Sequence, residues 1–111
     1  MNSLVNDKSI LKVLLKDRRC AGNNVEIGFL LSMMESIPKK EPEQFTDMPV
    51  LLVHPGDDKW TPTFISELFF DRIGANKCKV ILENCGHFPI ESPGKEMMEE
   101  EIKKFINLIN V

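Results

Sequence analysis

Two short apolar runs, each followed by turn residues and then a helical pattern, limit this chain's architecture more than any other feature. The first is Pro49-Val50-Leu51-Leu52-Val53-His54. It is continuously apolar up to its histidine, the pattern of a strand buried on both faces. Pro55-Gly56-Asp57-Asp58 is turn chemistry. Thr61 or Thr63 can then cap a helix carrying Phe64, Ile65, Leu68, Phe69 and Ile73, with Gly74 past its end. Lys79 to Glu83 reads as a second strand. Ser92-Pro93 opens a last helix, a cap with proline in the first turn. Its apolar face is Met98, Ile102, Phe105, Ile106 and Ile109, and Glu99–Lys103 and Glu100–Lys104 support the other face. Glu91 stands where its charge suits that helix's N-terminus. Strand, helix, strand, helix with buried strands predicts an α/β unit: a parallel pair joined by a right-handed crossover.

Before this unit lie two helical patterns. Asn6 or Asp7 can cap a first helix with Ile10, Leu11, Leu14 and Leu15 on one face, ending in a cationic turn at Lys16 to Arg19. Gly22-Asn23-Asn24 breaks it. A second helix follows with Ile27, Leu30, Leu31 and Met34 on one face, stopped at Pro38. The stretch from Ile37 to Asp47 has two prolines and five charges and reads as a connector. The division expected is residues 1–44, a helical segment with connector, and residues 45–111, the α/β segment.

Composition excludes several classes. The 111 residues are 42% hydrophobic and 28% charged with net charge −3, ordinary for a soluble domain and unsuited to a nucleic-acid surface. No apolar stretch is long enough for a membrane span, and residues 1–7 lack the basic and apolar regions of a signal peptide. Three cysteines with no CxxC spacing form neither a disulfide framework nor a zinc knuckle. A reduced, cytoplasmic protein without metal or cofactor is expected.

In parallel sheets, ligands bind outside the carboxyl ends of the strands. Two loops leave those ends here. One holds Asp57, Asp58, Lys59 and Trp60, and the other holds Cys85, Gly86, His87 and Phe88. An acid and a histidine one crossover apart are the constellation that carries chemistry. His54, ending a strand, reads as a structural histidine. A Cys85–His87 nucleophilic pair is disfavoured because side chains two residues apart rarely face each other. Cys78, Cys85 and His87 match no zinc spacing.

The stretches MPVLLVHPGDDKWTP and NCGHFPIESPGKEMMEEEIKKFINLI resemble the C-terminal part of an α/β-hydrolase. They are most similar to the serine-hydrolase branch of monoacylglycerol-lipase-like and lysophospholipase-like esterases. In that family the triad acid follows the penultimate core strand and a proline closes its turn four residues later, as Pro62 follows Asp58. A glycine usually precedes that acid by three residues, where Pro55 stands, so Asp57 remains an alternative to Asp58. The triad histidine sits in a Gly-His pair before the closing helix, matching Gly86-His87. The resemblance implies that Asp58 and His87 are catalytic and that Trp60 and Phe88 line a substrate pocket. Packing beneath the loops is the competing role for those two aromatics. The helices of residues 1–44 would then correspond to part of the cap such enzymes insert before the acid strand.

One element of the family pattern is missing. Its nucleophile is the serine of a Gly-x-Ser-x-Gly elbow, and none of Ser3, Ser9, Ser32, Ser36, Ser66 and Ser92 lies in such a motif. The expected function is therefore the acid-and-histidine portion of an esterase-like or lipase-like hydrolase, inactive by itself. Its substrate, once complemented, would be an ester-type small molecule or lipid. Its partner would be an N-terminal hydrolase half or a second copy of the chain. The alternative is a non-catalytic, self-associating or complementing module, because two strands alone leave open edges.

Overall fold

The computed structural model describes residues 3–19 and 24–110. Helix α1 spans Lys8–Lys16 and α2 spans Ile27–Met34. A short 3-10 turn at Pro42–Gln44 lies within the connector. The α/β unit follows as β1 Val50–Pro55, α3 Thr63–Phe70, β2 Lys77–Leu82 and α4 Gly94–Ile109. The two strands pair in parallel, with Val50 opposite Lys77 and Pro55 opposite Leu82. Helix α4 lies against both strands and α3 against β1.

Local chemistry accounts for the start of α1 and the end of α3. Asp7 caps α1, its carboxylate accepting the N–H groups of Ser9 at 2.7 Å and Ile10 at 3.2 Å. Strand β2 begins at Lys77 rather than Lys79. The Lys77 ammonium closes the end of α3 by donating to the carbonyls of Phe70, Asp71 and Ile73. That arrangement also ends α3 at Phe70, before Ile73. Neither Thr61 nor Thr63 caps α3: Pro62 occupies the N-cap and Thr63 is already helical. Likewise Pro93, not Ser92, is the N-cap of α4, and the Ser92 hydroxyl donates to Glu96. The turn after β2 places Asn84 at φ 50°, in the left-handed region that asparagine tolerates better than most residues.

The most buried part of the molecule is at the carboxyl ends of the strands. Leu82 and Cys85 are fully buried there, with Leu4 and Val5 close to it. The Leu4 carbonyl accepts the Phe88 N–H at 2.7 Å. A buried Glu91 joins the two segments: one carboxylate oxygen accepts the Asp7 N–H at 2.5 Å and the other the Gly86 N–H at 2.6 Å. Its role is thus a clamp on two backbone donors from separate segments, in place of the expected charge at a helix N-terminus. Glycine at position 86 permits this close approach, since a Cβ would stand 3.0 Å from the Val5 Cα and crowd it.

The expected double-sided burial of β1 is not met among the described residues. Val50 to Val53 are only half-buried, because the described chain supplies few covering elements. Helix α2 has no buried residue, and its predicted apolar face of Ile27, Leu30, Leu31 and Met34 is exposed. Among the described residues, no helix is long and apolar enough to cross a membrane.

Replacing Glu91 with alanine strands two backbone donors at the most buried part of the fold. Glu91→Ala should lower unfolding free energy by about 1–3 kcal/mol, measured by urea denaturation. The exposed Glu96→Ala should change it by less than about 0.5 kcal/mol.

Candidate active site

Parallel pairing brings the Asp58 and His87 loops to the same end of the sheet. Gly56 donates its N–H to the Leu82 carbonyl at 2.8 Å, continuing the ladder one residue past β1. A Cβ at position 56 would stand 2.8 Å from that same oxygen, so the turn needs glycine here. Asp57 then donates to the Cys85 carbonyl at 3.2 Å, tying the first loop to the second. The Asn6 side chain donates to the Asp57 carbonyl at 3.2 Å, adding the N-terminal segment to the same assembly.

On this platform His87 Nδ1 lies 2.9 Å from Asp58 Oδ2. The Asp58 side chain is 2% exposed and that of His87 is 28% exposed. The other carboxylate oxygen of Asp58 accepts the N–H groups of Trp60 at 2.8 Å and Thr61 at 2.9 Å. The Thr61 hydroxyl donates to Oδ2 at 2.7 Å and also lies 3.0 Å from His87 Nδ1. Burial by itself would raise the Asp58 pKa. The bonds from Thr61, His87 and Trp60 outweigh it and hold the carboxyl well below its ordinary range. Asp58, not Asp57, is the acid that meets the histidine.

The Trp60 indole is tilted against the His87 ring at 4.8 Å between centroids, and Phe88 stacks on it at 5.8 Å. Both aromatics therefore flank the imidazole. Trp60 is 54% exposed and forms an open wall beside the pair. His54 is a buried structural residue, with Nδ1 2.8 Å from the Pro55 carbonyl and 3.4 Å from the Thr63 hydroxyl. Only the nitrogen can donate to that carbonyl, so the ring is committed to its own strand.

Cys85 is unsuited to nucleophilic chemistry. Its Sγ faces the Leu82 carbonyl, and burial, reinforced by the nearby Glu91 charge, pushes its thiol pKa up. No serine hydroxyl is bonded to His87 among the described residues. Ser9 donates to Asp7, Ser32 to the Phe29 carbonyl and Ser92 to Glu96. No cluster of three or more metal-ligating side chains occurs among the described residues.

Two functional positions escape a reading of sequence pattern. Thr61 reads as a helix cap, yet the three-residue Asp58–Thr61 spacing matches an Asx-type turn in which a side chain captures local N–H groups. Glu91 reads as a charge at the N-terminus of the last helix, and nothing local signals that Asp7 will fold back onto it.

The lowered pKa of Asp58 has a fixed sign in stability. Below its ordinary value of 3.8 the unfolded chain takes up the proton first. The stabilisation is therefore present above pH 3.8 and is lost as pH falls toward the lower folded-state value. Urea midpoints of the unaltered protein should fall between about pH 5 and pH 2 more steeply than those of Asp58→Asn. Parallel curves would remove Asp58 as a source of acid sensitivity.

Compared with family models, with curated proteins and with solved structures, the chain matches none.

Proposed function

We propose that this chain supplies the acid and the base of a serine hydrolase, as the C-terminal portion of an α/β-hydrolase fold acting on carboxylic esters or lipid esters. The observation that carries this reading is the 2.9 Å contact between Asp58 Oδ2 and His87 Nδ1, formed by loops leaving the same end of two parallel strands. In such a pair the acid fixes the imidazole tautomer and stabilises the imidazolium. Nε2 takes a proton from the attacking hydroxyl and returns it to the leaving group. Trp60 and Phe88 flank the ring and form one wall for an acyl or alcohol group. Helices α1 and α2 take the place of cap elements, and residues 45–111 form the core segment.

The 111 residues contain no Gly-x-Ser-x-Gly elbow. The one hydroxyl bonded to His87 among the described residues, Thr61, sits at Nδ1, away from the nitrogen that would act as base. The nucleophile and the oxyanion donors, which supply the largest share of acyl-transfer catalysis, must come from residues outside this chain. An N-terminal hydrolase half is the corresponding partner.

A second reading is a non-catalytic, self-associating module. It is favoured by the exposure of Ile27, Phe29, Leu30, Leu31, Met33 and Met34 and by the unpaired edge that each strand of a two-stranded sheet retains.

The chain by itself should show no turnover of a short p-nitrophenyl ester above a denatured control. Fluorophosphonate labelling of one of its serines, lost in His87→Ala, would overturn that expectation. Mixed with a polypeptide carrying the elbow and the first strands of such a fold, it should hydrolyse the ester. His87→Ala should then reduce the rate about a thousandfold or more, and turnover insensitive to that change would refute the proposed base.

The self-association reading makes its own expectation. At micromolar concentration, sedimentation should report a dimer or larger species. Phe29→Glu combined with Leu31→Glu should return it to monomer. A monodisperse monomer that unfolds cooperatively without those changes would rule the module out.

A further inference from the structure

The Thr61 hydroxyl touches both members of the acid–base pair. Oγ1 lies 2.7 Å from Asp58 Oδ2 and 3.0 Å from His87 Nδ1, and those two atoms are 2.9 Å apart. Three polar atoms in mutual contact need protons placed so that no edge of the triangle sets lone pair against lone pair. Asp58 is a carboxylate and brings none. With Nδ1 bare, the single hydroxyl proton would have to serve every edge, and the Nδ1–Oδ2 edge would be repulsive. With the proton on Nδ1, Thr61 donates to Oδ2, and the ring N–H is shared between Oδ2 and Oγ1. Every edge is then bridged.

Thr61 also sets the plane of the carboxylate. Its N–H binds Oδ1 at 2.9 Å while its hydroxyl binds Oδ2, so one residue grips both oxygens. The remaining local donor, the Trp60 N–H, also acts on Oδ1. Without the hydroxyl, both local bonds fall on one oxygen, and Oδ2 is free to swing away from the imidazole. Pro62 supports this placement, because the residue before a proline is kept out of helical backbone.

We infer that Thr61 is a positioning residue: it orients the Asp58 carboxylate and so holds His87 in the Nδ1–H tautomer, leaving the Nε2 lone pair outward. The use of that lone pair as a base rests on the hydrolase reading, but the tautomer does not.

The test is multiple-bond ¹H–¹⁵N correlation of the imidazole rings in the full, ¹⁵N-labelled chain under conditions where the rings are neutral. The chain has two histidines, so His87→Ala assigns the signals. The unaltered protein and Thr61→Ser should show His87 with a protonated, pyrrole-like Nδ1. In Thr61→Val the ratio of the Nδ1–H to the Nε2–H form should fall by about threefold to tenfold, the worth of one hydrogen bond. Unchanged signals from the buried His54 ring report that the variant is folded. An unchanged His87 ratio in folded Thr61→Val would overturn the inference. So would a bare Nδ1 in the unaltered protein, a reading available even if Thr61→Val unfolds. A shifted ratio without His87-dependent turnover in the mixing assay would defeat the hydrolase reading alone. Turnover with an unmoved ratio would defeat only the role given to Thr61.

Discussion

The parallel pairing of β1 with β2 is the contact on which the candidate site depends. Its register sets Pro55 opposite Leu82, so both strands end at the same level. The ladder runs one residue further through the Gly56 N–H on the Leu82 carbonyl, and Asp57 reaches the Cys85 carbonyl from there. Asp58 and His87 lie just beyond, on loops with little freedom left. A shift of one residue in the pairing would separate them by about 3.3 Å along the strand, beyond the reach of a hydrogen bond. The acid–histidine contact is therefore a consequence of strand register.

The second support comes from the chain's own beginning. Leu4 and Val5 pack at the most buried end of the unit, and Glu91 ties the Asp7 and Gly86 backbones together. This fastens the His87 loop to the N-terminal segment, which also reaches the turn after β1 through the Asn6 side chain on the Asp57 carbonyl. The site is thus held by three sequence-distant pieces: the segment before α1, the turn after β1 and the turn after β2. Its polar groups are matched, and no buried side-chain nitrogen or oxygen lacks a partner among the described residues.

The polar site is well supported, whereas the apolar surface is largely uncovered. Trp60, Phe64, Leu68, Phe69 and the whole of α2 are exposed. A two-stranded sheet cannot bury that much apolar side-chain area, since it offers one narrow surface on each side. The hydrolase reading and the self-association reading both respond to this imbalance. They differ in what covers the surface: the strands of a complementing half or a second copy.

The local chemistry of the chain already determined the order of elements and the two loops that bear the site. Apolar runs of strand length, turn residues after each of them, and Asp7 as a cap all act over a few residues, so they are legible without tertiary structure. Strand and helix ends were displaced by one to three residues; α3, for one, stops at Phe70 where the Lys77 ammonium, four to seven residues on, takes the carbonyls of Phe70, Asp71 and Ile73. Tertiary structure alone decided between Asp57 and Asp58, since the choice turns on which carboxylate meets a ring 29 residues away. It alone revealed Thr61 bridging acid and histidine and Glu91 clamping a segment 84 residues distant. It also left α2 uncovered, although its apolar spacing is that of a packed helix. Spacing records which side chains share a face, while burial depends on whether another part of the molecule arrives to cover it.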